Sequence, residues 1–189
     1  MIKKWKTLKR VSLGDYRIFK TDLVERESSI TGKKGDFFLV NSPNWVTIVP
    51  EIVNEDGKKC FLLVKQYRHG SDSITLEFPA GMVDPNEDSF ETAKRELLEE
   101  TGYIGEIILA GSINPNPAFM TNKTSTYIGR NLKKISNQDL DEHEEIETVI
   151  MPVEEFHNLV GGTEVNSAIT IQAYYFYLKS LSPDIFNFG

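Results

Sequence analysis

The sequence holds a single cysteine, Cys60, so it can form neither an intramolecular disulfide nor a cysteine-built zinc site. That usage fits a reducing compartment. Only three histidines are present, His69, His143 and His157, and no two stand at metal-binding spacing. Basic residues are scarce. The 21 Lys and Arg against 28 Asp and Glu give a net charge of −7, which disfavours a general nucleic-acid binder because that role needs a basic face. No apolar run approaches the roughly 18 to 20 residues of a membrane span. The opening MIKKWKTLKR is basic but leads into no apolar core of a secretory signal. Repeats and low-complexity tracts are also lacking. The expectation is a cytoplasmic protein with no nucleic-acid and no membrane partner.

What is present is ordinary globular composition, 40% hydrophobic and 26% charged over 189 residues, enough for a substantial core in one or two domains. Residues 1–44 alternate apolar and polar in places, with strands expected around 16–25 and 37–40 and turn signals at Gly14-Asp15 and Gly32-Lys33-Lys34-Gly35. This extension is too small and polar to fold alone, so it should pack on the rest of the chain or on a second copy. From residue 45 on, VTIVPEIV and CFLLVKQ read as strands joined by the NEDGKK turn, and ITLEFPAG as a strand ending at Pro79. A helix over NEDSFETAKRELLEETG follows, then strands GEIILAGS and TSTYIGRN. The acidic stretch DLDEHEEIETVIMPV runs into a strand, VEEFHNLV is a short helix, and Asn166 or Ser167 caps a last helix to about Leu181. Strands outnumber helices without alternating with them, which predicts a mixed sheet with a few packed helices. Cys60 sits at a strand start and is expected to be buried rather than reactive.

The helix carries the chemistry. Asp84, Pro85 and Asn86 supply a turn and a cap, Glu87 and Asp88 put negative charge in the first turn, and Gly102 ends the helix. Phe90, Ala93 and Leu97 form the core stripe, while Glu96, Glu99 and Glu100 share an adjacent arc. Arg95 is spaced to pair with Glu91 and to orient Glu87. Solvated acidic faces are common, and exposed like charges cost only about 0.2–0.5 kcal/mol per pair. Drawn together in a partly buried pocket at roughly 6 Å and an effective dielectric of 20, each pair would repel by about 3 kcal/mol. A hard divalent cation such as Mg2+, or Mn2+ in its place, removes that penalty. Spacing alone yields a candidate cation site and no more.

The whole pattern resembles the Nudix hydrolase signature: Gly, five residues, Glu, seven residues, Arg-Glu-apolar, one residue, Glu-Glu, one residue, Gly-apolar. Gly81, Glu87, Arg95, Glu96, Leu97, Glu99, Glu100 and Gly102 all fall in place, and Tyr103 stands where an aliphatic residue is usual. The resemblance implies a Nudix α/β/α sandwich with a mixed sheet, and hydrolysis of a nucleoside diphosphate linked to another group. It implies Glu96 and Glu100 as principal metal ligands, Glu99 as a third ligand or base, and the Ala80 carbonyl as a further ligand. Gly81, Glu87, Arg95 and Gly102 would be structural.

The flanks are most like ADP-ribose pyrophosphatases. QYRHGSDSITLEFPAG resembles the segment before their signature, implying that Arg68 meets the diphosphate and Glu77 lies at the metal and terminal-ribose end. NPNPAFMTN resembles their proline-bearing loop, with Pro117 in that place and Ala118 where glycine is more usual. DEHEEIETV resembles their acidic mobile loop, aligning Glu144 with the late ligand or water-activating base, with Glu142 as the near alternative. Tyr16 and Phe38, with Phe19 and Phe37, are candidates for stacking on adenine, although strand aromatics also serve as core or interface. The implied reaction is Mg2+-dependent hydrolysis of ADP-ribose to AMP and ribose 5-phosphate by a homodimer. Residues 1–44 would be a dimerising antiparallel extension that contributes to the substrate pocket, and 45–189 the hydrolase domain. Another nucleotide sugar such as GDP-mannose is the alternative substrate. A non-catalytic ADP-ribose sensor is the alternative of a different class, disfavoured because every signature glutamate is present.

Overall fold

The computed structural model describes residues 1–181, in two compact units: Met1–Asn44 with Asn114–Lys123, and Trp45–Ile113 with the chain from Thr124 on. Among the described residues no helix is long and apolar enough to cross a membrane.

The smaller unit is a three-stranded antiparallel sheet in the order β1 (Lys6–Asp15), β2 (Lys20–Glu27), β3 (Lys34–Asn41). One polar residue from each strand ties it together: buried Asp22 accepts hydrogen bonds from Arg10 Nε at 2.5 Å and Asn41 Nδ2 at 2.8 Å. Segment 114–123 joins this sheet through Val40, whose N–H donates to the Phe119 carbonyl at 2.8 Å and whose carbonyl accepts from Thr121 N at 3.1 Å. Two expectations are corrected here. β1 is a full strand, and β2 begins at Lys20 rather than at Tyr16. Residues 16–19 are a turn, with Arg17 at φ 68°, because the Asp15 side chain accepts from Arg17 N at 3.2 Å and pairs with Lys20 Nζ at 2.8 Å. β1 is exposed nearly throughout, so it carries no clear inside-outside alternation to read.

The larger unit is a mixed sheet in the order β10-β5-β4-β9-β8: β10 (Ile146–Pro152), β5 (Lys59–Arg68), β4 (Trp45–Val53), β9 (Thr124–Lys134) and β8 (Tyr103–Ile113). β6 (Ser73–Glu77) pairs with β5, and the short β7 (Ala80–Met82) pairs with β4, so the strand expected to stop at Pro79 continues as a second one. β4 and β9 run parallel, and the other pairs are antiparallel.

The run VTIV in β4 is buried on both sides, which is why it reads as continuously apolar. Val46 and Ile48 pack with Tyr127 and Ile107 against Ala93 and Leu97 of helix α1 (Ser89–Thr101). Val49, one residue on, packs on the other face with α2 (Val153–Leu159) and α3 (Ala168–Leu181). The result is a helix–sheet–helix sandwich. Phe61 is the centre of that second core, with edge-on aromatic contacts to Phe78, Phe156, Tyr174 and Tyr177 at centroid distances of 5.1, 5.3, 6.0 and 4.8 Å. Such pairs add about 0.5–1.5 kcal/mol each beyond burial. Cys60 beside it is buried, as expected. Ser167 directly precedes α3, and its carbonyl accepts from Ile171 N at 3.0 Å, while the Asn166 amide turns back to the Thr163 carbonyl.

Candidate active site

Helix α1 begins one turn later than its composition suggests. Asp88 is the N-cap, accepting from Phe90 N at 2.8 Å, so Glu87 lies in the loop before the helix rather than in its first turn. Glu87 Oε2 accepts from the Thr92 hydroxyl at 2.8 Å, and the carboxylate meets Arg95 at 3.2 Å through both Nε and Nη2. The Arg95 guanidinium holds the Glu87 carboxyl below the usual range. Arg95 also meets Glu96 at 2.9 Å and Glu99 at 2.8 Å; its expected partner Glu91 pairs instead with Lys94 at 3.1 Å. One guanidinium therefore braces loop and helix together. Phe90, expected in the core, is 37% exposed, its ring near Tyr127 and beneath the Lys94 ammonium, while Ala93 and Leu97 are buried as expected.

The glutamate arc faces the β4–β7 end of the sheet. Glu100 is 3% exposed and accepts from Ala80 N at 3.0 Å. A Cβ on Gly81 would fall 2.0 Å from the Glu96 carboxylate, so the glycine leaves the space that this side chain fills. Burial pushes the Glu96 carboxyl up to about 7: Arg95 opposes the rise, and Glu99 and Glu144 add to it. Burial also raises Glu100 well above the carboxylate range, helped by Glu96 and Glu144. Two buried carboxylates, each with its proton affinity raised chiefly by burial, are a donor set that a hard cation would satisfy. Among the described residues no three His, Cys, Asp or Glu side chains form a group able to hold a metal ion. The pair nonetheless suits Mg2+, which is usually held by one or two carboxylates and completes its shell with waters and substrate phosphate.

Glu144 acts electrostatically on Glu96, Glu100 and Arg68, and Glu142 stands two residues before it in the same loop. Both line a cleft of about 790 Å³ with residues 66–70 and the rest of 142–145. Arg68 lines this cleft and a neighbouring one of about 380 Å³ that includes Trp45, Glu77, Ala80 and Ser167. Its Nε and Nη2 donate to the Glu77 oxygens at 3.0 and 2.8 Å. Burial would raise Glu77, but the Arg68 fork and the Thr75 hydroxyl at 2.6 Å outweigh it and hold the carboxyl below its ordinary value.

The larger unit thus brings together Arg68, Glu77, Ala80, Gly81, Glu87, Arg95, Glu96, Glu99, Glu100 and Glu144. Tyr16, Phe38 and Pro117 belong to the smaller unit, where Tyr16 packs on Phe19 at 5.1 Å and Phe38 is 67% exposed. Sequence reasoning missed Thr75 and Thr92, which orient Glu77 and Glu87. Thr75 is two residues from Glu77 on the same strand face, a signal that could have been used; Thr92 has none.

The NUDIX domain profile matches residues 43–171. ADP-ribose pyrophosphatase of Bacillus subtilis (strain 168) is 30% identical over 181 residues, covering 92% of this chain and 96% of that protein. The methanol dehydrogenase activator of Bacillus methanolicus is 30% identical over 172 residues, covering 89% of each. Among solved structures, the crystal structure of an ADP compounds hydrolase superposes with a TM-score of 0.83 at 25% identity, covering 97% of both chains. With the signature residues assembled around a buried carboxylate pair and the family matched over most of its length, the chain belongs to the NUDIX family and is a Nudix hydrolase similar to ADP-ribose pyrophosphatases.

Proposed function

We propose that the protein hydrolyses the diphosphate bond of ADP-ribose, in a Mg2+-dependent reaction, adding water to give AMP and ribose 5-phosphate. The observation that carries this reading is the Glu96–Glu100 pair, buried beside Ala80 with raised proton affinity, next to an arginine that lines both adjoining clefts. The naming of a similar Bacillus subtilis protein as ADP-ribose pyrophosphatase supports the substrate.

In this reading Glu96, Glu100 and the Ala80 carbonyl hold the cation, with Glu99 as a further ligand or base. Mg2+ supplies Lewis-acid polarisation of the phosphoryl oxygens and neutralises charge on the diphosphate. Glu87 and Arg95 hold the loop against the helix so that Glu96 keeps its place. Arg68, oriented by Glu77 through Nε and Nη2, offers its remaining guanidinium N–H groups to the diphosphate. Glu144 accepts the proton of the attacking water, a role that its electrostatic action on Glu96 and Glu100 favours over Glu142. Tyr16, Phe38 and Pro117 would contribute to the nucleobase pocket. Apolar side chains that the three-stranded sheet leaves exposed, among them Leu13 and Phe38, support a homodimer formed through residues 1–44. The lone buried cysteine supports a cytoplasmic setting.

The test is turnover on ADP-ribose, ADP-glucose, GDP-mannose and NADH, each with Mg2+, with EDTA, and with Glu100→Gln. Preference for ADP-ribose that EDTA and the substitution both abolish is the expected result. Preference for another substrate would replace the pocket assignment, and ADP-ribose bound but not hydrolysed would sink the enzymatic reading.

A further inference from the structure

The C-terminal end of α1 is capped by a segment distant in sequence. A helix leaves its last carbonyls without intrahelical partners. Here Gly102 N takes the Leu98 carbonyl at 2.7 Å, Asp139 N takes that of Glu99 at 2.9 Å, and Ile135 N takes that of Gly102 at 2.9 Å. The Glu100 carbonyl is taken by a side chain, Gln138 Nε2 at 2.7 Å. The same nitrogen reaches the Ile146 carbonyl at 3.1 Å. Both partners are carbonyl oxygens, so only the amide nitrogen can face them, and its two hydrogens serve one each.

Those two carbonyls have separate consequences. Glu100 is one of the buried carboxylate pair, and Ile146 is the first residue of β10, buried and in register with Gln66 of β5. Between Gln138 and Ile146 lies the acidic loop 139–145, which carries Glu144. Within it, Glu144 N donates to the Asp141 carbonyl at 3.0 Å, and the Glu144 carboxylate accepts from Asp141 N at 3.3 Å. One amide therefore joins both feet of the loop to the helix turn that bears Glu100.

We propose that Gln138 is a positioning residue for the hydrolase reaction: it straps the acidic loop to the end of α1 and so sets where Glu144 stands relative to Glu96 and Glu100. The inference rests on the functional reading above. It touches neither substrate nor cation; it acts through Glu144. Its half-buried place at a loop start, with no helical or strand periodicity around it, left no mark in the sequence.

The test uses Gln138→Met, which keeps length and removes both donors, Gln138→Lys, which retains donors, and Glu144→Gln. Amide hydrogen exchange over 139–146 is read on metal-free protein, and kcat and KM for ADP-ribose on the Mg2+-loaded enzyme. Gln138→Met should speed exchange in the loop about tenfold and lower kcat about tenfold with KM unchanged, the scale of losing a hydrogen bond to each foot. Gln138→Lys should restore both, and Gln138→Met should add no loss on the Glu144→Gln background. Should Gln138→Met unfold, Gln138→Glu, which turns the donor into an acceptor, takes its place. Unchanged loop exchange overturns the strap whatever the substrate. Equal losses in Met and Lys variants, or a full further loss on Glu144→Gln, assign Gln138 to packing and overturn the positioning role. Faster loop exchange in a protein inert on ADP-ribose would count against the substrate reading and still support the strap.

Discussion

Arg68 and Glu77 are joined by two parallel hydrogen bonds, Nε to Oε1 at 3.0 Å and Nη2 to Oε2 at 2.8 Å, with the Glu77 side chain only 7% exposed and that of Arg68 35% exposed. Arg68→Ala strands a carboxylate that burial already disfavours. Discounted for the partial exposure of the arginine, the loss is about 2 kcal/mol, or a fall in melting temperature of roughly 4–8 °C. Arg68→Lys keeps the charge and loses the fork, so it should recover part of the stability and little of the substrate affinity, read as KM. An unchanged melting temperature in Arg68→Ala would refute the pairing.

Gly81→Ala separates folding from chemistry. The atoms nearest to the new Cβ all belong to the end of the Glu96 side chain, the first at 2.0 Å, so the carboxylate can move aside while the backbone stays. The melting temperature should change by no more than about 3 °C, while kcat falls on the order of a hundredfold, because a misplaced group of about 1 Å costs that much. Retained activity would show that Glu96 need not fill the space over Gly81.

Gly102→Ala behaves in the opposite way. Gly102 sits at φ 76°, and a Cβ would come within 2.2 Å of the Ser136 carbonyl, a backbone atom of the capping segment. Left-handed geometry alone costs an alanine about 1–2 kcal/mol, and the clash adds to it. Denaturant unfolding should report a loss of at least that size, along with weakened protection of the Asp139 amide.

The pH dependence of the metal-free protein follows from Glu96. Its proton is held more tightly in the folded chain, at about 7, than at the unfolded value of 4.5. The folded state therefore binds more protons between those values, and its stability falls as pH rises through them. The contribution is fully present below the unfolded value and lost above about 7. Glu77 and Glu87, whose values are lowered, act with the opposite sign. Both remain in Glu96→Gln, so the difference between wild type and variant isolates the site. Wild type should gain stability relative to Glu96→Gln as pH drops from about 8 to about 5, and saturating Mg2+ should flatten that gain because cation and proton compete for one group. A difference independent of pH would rule out the raised value.

The helix, its terminating Gly102 and the doubly buried β4 were legible because each leaves a local pattern: a glutamate arc, a C-terminal glycine, an unbroken apolar run. Arg95 was legible as a brace with Glu87 as one partner; its other partner was not, since spacing admits Glu91 as readily as Glu99 and the structure takes Glu99. β1 was illegible because both of its faces meet solvent. The resemblance supplied Arg68, Glu77 and Glu144 as residues of one site, and the geometry adds what no motif carries: Arg68 spends its fork on Glu77. Pro117 resembles part of a pocket loop, yet segment 114–123 folds onto the edge of β3, an association made by backbone hydrogen bonds that any side chain could support.

The parallel pairing of Trp45–Pro50 with Thr124–Gly129 bears on the order in which the protein matures. Helix α1 is built from contiguous residues and can form early. The floor beneath its glutamates depends on β4, which meets its parallel neighbour only after the whole intervening chain has been made and closed into a loop, a slow step. Until that floor is in place, Glu96 and Glu100 are not buried against it. Their elevated proton affinity is therefore acquired late, and in a refolding experiment proton uptake near neutral pH would time the birth of the site itself.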